Sequence, residues 1–282
     1  MQDIHRIAPR ILSATDFSAA SERAFLHALG LAAGQHARLT LLHIGPESRK
    51  EVPWDKYPGV RDTLVKWQMM EADAPRTDVM DQLGMNVKKM AMRDEDPYNG
   101  ILDYVRKHPT DLLVMATGAR SGAARMKRAS VAESVSYSSH SHALLLPDDT
   151  NDLVDIASGS RLLKNALVIY DHEPDPRNAI SWLSNWLPMF AEDTVDAHLL
   201  YVGDEETVPE VAIPTLPKVN WKPAVKNGPL RETILAYADE VEAQMIVMMN
   251  EPSRGLLGRL RGSLCEQILR QSGRPMLLMP DI

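Results

Sequence analysis

DLLVMATG, residues 111–118, is apolar from Leu112 to Ala116. A run this short and this uniformly apolar reads as a strand buried on both faces, the kind found inside a parallel sheet. It is matched downstream by AQMIVMMN, residues 243–250. The match is one of a series. RILSATDFS (10–18) and NALVIYDHE (165–173) each end an apolar run in an aspartate. RLTLLHIGP (38–46) pairs with DAHLLYVGD (196–204), and ALLLP (143–147) with PMLLMP (275–280). The pairs fall in the same order, so the chain is written twice.

The spacings show where the copies differ. Asp16 and Asp171 lie 155 apart, and Ile44 and Val202 lie 158 apart. Ser130 to Ser263 and Pro147 to Pro280 are both 133. The second copy is therefore shorter by 158 − 133 = 25 residues after its second strand. The first copy fills that region, 48–86, with a segment containing KYPGVRDTLVKWQMMEADAPRTDVMDQLG, which predicts a helix over about 60–83. The second copy has VPEVAIPTLPKVN there, too rich in proline for a long helix.

Strands are expected at 10–15, 38–44, 86–91, 111–116 and 142–146, and helices at 18–33, 97–108 and about 128–138. Ser18 is the expected N-cap of the first helix, with Glu22 in its first turn and Gly34 as its stop. Phe25, Ala28, Leu29 and Ala32 form its apolar face. Short buried strands alternating with helices indicate a parallel α/β sheet, because each parallel crossover needs a covering helix. Residues 151–165 form the linker and entry to the second copy, which divides the chain into domains 1–150 and 151–282.

Composition bounds the function. Net charge is −7, which disfavours a nucleic-acid or anionic membrane partner. A single cysteine, Cys265, excludes an intrachain disulfide and points to a reducing, cytoplasmic setting. The opening MQDIHRIAPRILSATDFS has no apolar run of signal-peptide length, and no run approaches the roughly 18–20 residues of a membrane span. The fifteen methionines sit largely in apolar runs, where they fill irregular gaps.

VMATGARSGAARMKRAS, residues 114–130, has the layout of a phosphate-binding turn. A buried strand leads into a small-residue loop, then basic side chains, then a hydroxyl. Taken together, DFS after the first strand, HI after the second, DLLVMATGARSG, SVAES and the closing apolar strand resemble the universal stress protein family. The resemblance covers nearly the whole chain as two tandem domains. It implies two open five-stranded parallel sheets flanked by helices, related to adenine-nucleotide α-hydrolases and paired within the chain through their last strands.

Nucleotide-binding members of that family carry G-x-x-G-x9-G-[S/T] after the fourth strand. The corresponding residues here are Ala116, Ala119, Ala129 and Ser130, with spacing kept and all three glycines replaced by alanine. In the second copy they are Met249, Pro252, Gly262 and Ser263. An alanine costs roughly 1–2 kcal/mol wherever the glycine had a positive φ, and Pro252 also removes a donor N–H. The resemblance places base and ribose near Ala14, Thr15, Asp16 and the backbone of Ile44, and phosphates near Arg120, Ser130 and Val131. The second copy offers Ile169, Tyr170, Asp171 and Val202. Against this stands a plainer reading of Asp16 as a helix cap.

The remaining features have plainer readings beside functional ones. Arg120, Arg125, Lys127 and Arg128, echoed by Arg254, Arg259 and Arg261, could hold phosphate oxygens or form a solvated loop. His140 and His142 could ligate a metal or lead into the last strand. Cys265 reads as an inert buried thiol. DEDP (94–97) and EPDP (173–176) read as helix starts. No Walker loop or Ser/His/Asp triad is indicated.

Three functions follow. One is a cytoplasmic stress-response binding protein with degenerate ATP- or AMP-type sites, taken with Mg²⁺, whose nucleotide binding is weak or lost and whose hydrolysis is slow at most. A second is a scaffold that binds an unknown protein partner through Trp54, Tyr57 and Trp67. The third is a sensor of another anionic ligand. Association into a homodimer stays open.

Overall fold

In a computed structural model, the structure describes residues 8–33, 35–46, 51–73, 79, 83–117, 131–148, 150–215, 217–250 and 264–280. The first half supplies β1 (Arg10–Thr15), α1 (Ala19–Ala32), β2 (Arg38–Gly45), α2 (Val60–Lys66), β3 (Asn86–Arg93), α3 (Pro97–Lys107), β4 (Leu112–Thr117), α4 (Val131–Ser138) and β5 (His142–Pro147). The second half supplies β6 (Asn165–Ile169), α5 (Pro176–Trp186), β7 (Val195–Val202), β8 (Val219–Lys226), α6 (Leu230–Glu240), β9 (Met245–Asn250), α7 (Leu264–Ser272) and β10 (Met276–Pro280).

The strands run β3-β2-β1-β4-β5-β10-β9-β6-β7-β8 in a single ten-stranded sheet. Within each half every pairing is parallel. The last strands of the halves meet antiparallel, Met276 opposite Leu145, Leu277 opposite Leu144 and Leu278 opposite Ala143. ALLLP and MLLMP are apolar on both faces, and an unpaired edge of that kind would be exposed to aggregation. Joining them turns two five-stranded sheets into one continuous layer.

Two apolar cores cover the two faces, and each runs through both halves. One packs α1, α5 and residues of the 150–165 linker; the other packs α3, α4, α6 and α7. The outer edges, β3 and β8, carry Lys88, Lys89, Lys222 and Lys226, and β8 also carries Pro223. Charged side chains and proline on edge strands oppose further strand addition.

The first helix forms as its sequence directs. Ser18 Oγ accepts from the Ser21 N–H, Glu22 lies in the first turn, and Phe25, Ala28, Leu29 and Ala32 are fully buried. The acidic turns are also helix starts. Asp96 and Asp175 cap α3 and α5 from N-cap positions, each followed by proline at the first helical residue. Gly34 lies outside the described residues.

The inserted segment departs from expectation. The helix predicted over about 60–83 ends at Lys66, and Gln68 takes a left-handed φ of 57°. Tertiary contact is the reason. Trp67 turns back onto the linker, where its Nε1–H donates to the Ile156 carbonyl at 3.1 Å. Its ring lies so close to Gly159 (φ 75°) that a Cβ there would come within 2.5 Å of Cε3. Tyr57 and Trp67 are both buried and serve the core, while Trp54 is only partly buried.

The linker is itself a packing element. Arg23 on α1 donates from Nε to Asp152 Oδ1 (2.6 Å), from Nη1 to the Pro147 carbonyl (2.7 Å) and from Nη2 to the Thr150 carbonyl (2.8 Å). One turn later, fully buried His27 donates from Nδ1–H to the Arg23 carbonyl at 2.9 Å. Its Nε2 accepts the Leu153 N–H at 3.1 Å. That pair of contacts fixes the neutral tautomer. Burial pushes the imidazole down to about 4. Leu153, Val154 and Leu163 then enter the core on the α1–α5 face.

Candidate functional site

An open parallel sheet has a crevice where neighbouring strands send their crossovers to opposite sides. Here β1, β2 and β3 wind one way and β4 and β5 the other, so the first half has its crevice between the ends of β1 and β4. The second half has the equivalent point between β6 and β9. Asp16 stands at the first point and Asp171 at the second.

Around Asp16 the backbone is held tightly. Asp16 Oδ1 accepts from the Ser18 N–H at 3.0 Å and from the Ser18 hydroxyl at 2.5 Å. Burial raises the Asp16 carboxyl, but the hydrogen bonds from Ser18 outweigh it and hold the group below its usual range. The side chain is exposed and ionised at the crevice. Both readings of Asp16 meet in this geometry: it braces the residue that caps α1, and it leaves a carboxylate on the surface.

Thr15 is committed elsewhere. Its hydroxyl lies 2.9 Å from the Ser21 hydroxyl and accepts from the Phe17 N–H at 3.0 Å, while its carbonyl accepts from His43 Nδ1–H at 2.9 Å. Its side chain is buried and internally paired. Phe17 sits at φ 62° and places its ring among His43 (4.7 Å), Trp54 (5.2 Å) and Tyr57 (5.4 Å). The Tyr57 hydroxyl donates to the Ser21 carbonyl at 2.8 Å. This aromatic cluster belongs to the α1 face. Ala14 and Ile44 belong to the opposite face, with α3 and α4.

Ala14, Ile44, Ala116 and Val131 are therefore strand-end and helix-start residues of one half. Ala14 and Ala116 are small and half-buried, and Val131 opens α4 in an exposed position. Gly118, Ala119, Arg120, Arg125, Lys127, Arg128, Ala129 and Ser130 lie outside the described residues, as do Pro252, Arg254, Arg259, Arg261, Gly262 and Ser263.

The second half differs at the same points. The connection from β1 to α1 is 16–18, whereas that from β6 to α5 is 170–175. Asp171 Oδ1 accepts from the His172 N–H at 2.7 Å, and Asp175 performs the helix capping. Ile169 replaces Ala14 and, like Val202, packs against the core on the α6–α7 face. Tyr170 replaces Thr15, buried with its ring 5.9 Å from Tyr201. Met249 packs against the α1–α5 core.

His142 and His140 do not come together as a ligand pair. His142 is buried and stacks on Trp182 at 3.8 Å, and Trp182 stacks on Trp186 at 4.6 Å, a contact across the seam between the halves. Burial pushes His142 down to about 4. His140 is exposed at φ 50°. Among the described residues, no group of three or more His, Cys, Asp or Glu could hold a metal ion. Cys265 is buried. No helix among them is long and apolar enough to cross a membrane.

A family model, that of the universal stress protein family, matches residues 8–147 and 210–280. A universal stress protein from Archaeoglobus fulgidus DSM 4304 has a solved structure with TM-score 0.63 and 17% identity, covering 96% of this chain and 96% of that one. A Pseudomonas aeruginosa UCBPP-PA14 protein provisionally assigned to the same family gives TM-score 0.61 at 11% identity, covering 97% and 93%. At these identities the likeness is one of fold. No curated relative matches the chain.

Proposed function

The chain belongs to the universal stress protein family, and from that premise we propose that it is a stress-response binding protein whose first-half crevice takes an adenine nucleotide. The domains of this reading are 1–150 and 151–282, and its compartment is the cytoplasm. The observation that carries it is the Asp16 carboxylate, ionised and exposed where β1 and β4 diverge, two residues after the small, half-buried Ala14. A carboxylate there can accept from ribose hydroxyls. The backbone of Ile44, one strand over, is the expected contact for the base, and the start of α4 at Val131 the expected neighbour of the phosphates. Any Mg²⁺ would arrive with the phosphates, for which Arg120 and Ser130 are the candidate partners.

The second half is the weaker site in this reading. Ile169 and Tyr170 bring bulk where the first half has Ala14 and Thr15, which leaves Asp171, Val202, Gly262 and Ser263 as a reduced set. The role is binding and signalling rather than dedicated catalysis. The burial of Tyr57 and Trp67 supports this reading over a scaffold that binds through that segment, where Trp54 is only partly buried.

Calorimetric titration of ATP and of AMP, with Mg²⁺, into protein freed of ligand tests the proposal. One saturable event per chain is expected, abolished in Asp16→Ala and kept in Asp171→Ala. Absence of binding to wild type, or binding unaffected by Asp16→Ala, would reject it.

A further inference from the structure

The inserted segment of the first half meets the linker in a small, well-defined contact. Val154 pairs antiparallel with Arg161, the Asp155 N–H donates to the Ser160 carbonyl at 2.8 Å, and the Leu162 N–H donates to the Leu153 carbonyl at 2.8 Å, so 153–162 forms a hairpin. Its tip is fastened from within. The Ala157 N–H and the Ser158 hydroxyl each donate to an Asp155 carboxylate oxygen at 2.8 Å. One side rests on α1, where a Cβ on Gly30 would come within 2.5 Å of Val154 Cγ1. The base continues into the second half, where the Leu163 N–H donates to the Phe190 carbonyl at 3.1 Å and Arg161 Nη2 donates to Glu192 Oε2 at 2.8 Å.

The other side of the hairpin faces the turn after α2. Trp67 contributes its ring and its bond to the Ile156 carbonyl. Met69 contributes its terminal methyl, which a Cβ on Gly159 would approach to 2.9 Å. The Met69 N–H donates to the Leu64 carbonyl at 2.9 Å, which fixes the turn that presents it. A thioether is an apolar, adaptable packing group that peroxides convert to a polar sulfoxide. Accessibility singles out Met69 within its segment: Met70 and Met85 are buried, whereas Met69 is only partly buried. Met90 and Met92 are also partly buried, but they pack on the opposite face of the sheet.

We propose that Met69 is a site of reversible oxidation by peroxides, through which the inserted segment releases the linker hairpin. The Met69 sulfur attacks one oxygen of hydrogen peroxide. An S–O bond forms and the O–O bond breaks. Sulfur is oxidised by two electrons, and the second oxygen leaves with both hydrogens as water. The new oxygen needs hydrogen bonds that the packed contact with Gly159 does not offer, so the contact opens to water. Methionine sulfoxide reductases, one for each epimer, return the thioether and close it again. The switch acts on the joint between the halves, whatever the crevices bind.

Hydrogen–deuterium exchange on the full chain, read by mass spectrometry before and after hydrogen peroxide, tests the proposal. Peptide mapping should find sulfoxide at Met69 ahead of Met70 and Met85. Exchange over 153–162 should quicken about tenfold, as expected when one packed contact is lost, and should revert after treatment with both reductases. Met69→Leu keeps an apolar contact without the oxidisable sulfur and should not respond to peroxide. Met69→Gln should exchange fast without peroxide. Replacing Met90 and Met92 by leucine should leave the response intact. Three results would each overturn the proposal: a response that survives in Met69→Leu, Met69 sulfoxide with unchanged exchange over 153–162, or a response lost when Met90 and Met92 are replaced. So would Met69 staying reduced while Met70 or Met85 is oxidised. Should Met69→Gln not fold, Met69→Leu and the reductase reversal still decide.

Discussion

Replacing His27 by glutamine should flatten the acid side of the stability curve. His27 is fully buried with its Nε2 accepting the Leu153 N–H, so protonation would set an N–H against an N–H. Burial is the dominant cause of its low value, Arg23 adds repulsion, and the Arg23 carbonyl and Asp152 oppose both in part. In the unfolded chain the ring titrates near 6.5; in the fold it titrates at about 4. The sign follows. Above pH 6.5 neither state binds the proton and stability is complete. Between 6.5 and 4 the unfolded state takes up a proton the folded state refuses, so stability falls with pH. The loss is about 1.4 kcal/mol per pH unit and about 3 kcal/mol in total. Glutamine keeps an acceptor near the Leu153 N–H and does not titrate. Urea unfolding at pH 4.5, 5.5, 6.5 and 7.5, at constant ionic strength, should show the slope reduced by about 1.4 kcal/mol per unit in His27→Gln. His142 titrates in the same window and its share should persist. An unchanged slope would refute the claim that burial keeps His27 neutral in the fold.

Two further outcomes are expected from packing. The Ser13 hydroxyl is buried without a hydrogen-bond partner among the described residues, so Ser13→Ala should stabilise the chain by about 1 kcal/mol in urea unfolding; a loss would mean that the hydroxyl is satisfied. Gly159→Ala should destabilise by at least about 2 kcal/mol, combining the left-handed φ with displacement of the Trp67 ring, and a neutral result in thermal unfolding would show the linker free to shift.

Much of the fold was legible because it depends on local chemistry. Ser18, Asp96 and Asp175 announce helix starts wherever they precede a helical pattern, since an uncapped N-terminus leaves N–H groups unpaired. The inner strands β1, β2, β4 and β5 could be read from apolar runs, and the β5–β10 pairing is the one the family resemblance implies. The candidate site was legible only in outline. The sequence singled out Asp16, but its hydrogen bonds to Ser18 and the burial of Thr15 depend on how β1, β2 and α1 meet.

What the sequence determined alone is the twofold plan, the α/β class and the capping of its helices, because these arise from residues a few positions apart. Only the tertiary structure decided the rest. Trp67 ends α2 by bonding to Ile156, 89 residues away. His27 finds its acceptor role 126 residues downstream, and Arg270 meets Glu133 across 137. Such partners share no periodicity or motif. They become neighbours only when a single ten-stranded sheet lays both halves side by side, and burial then decides which polar groups must pair.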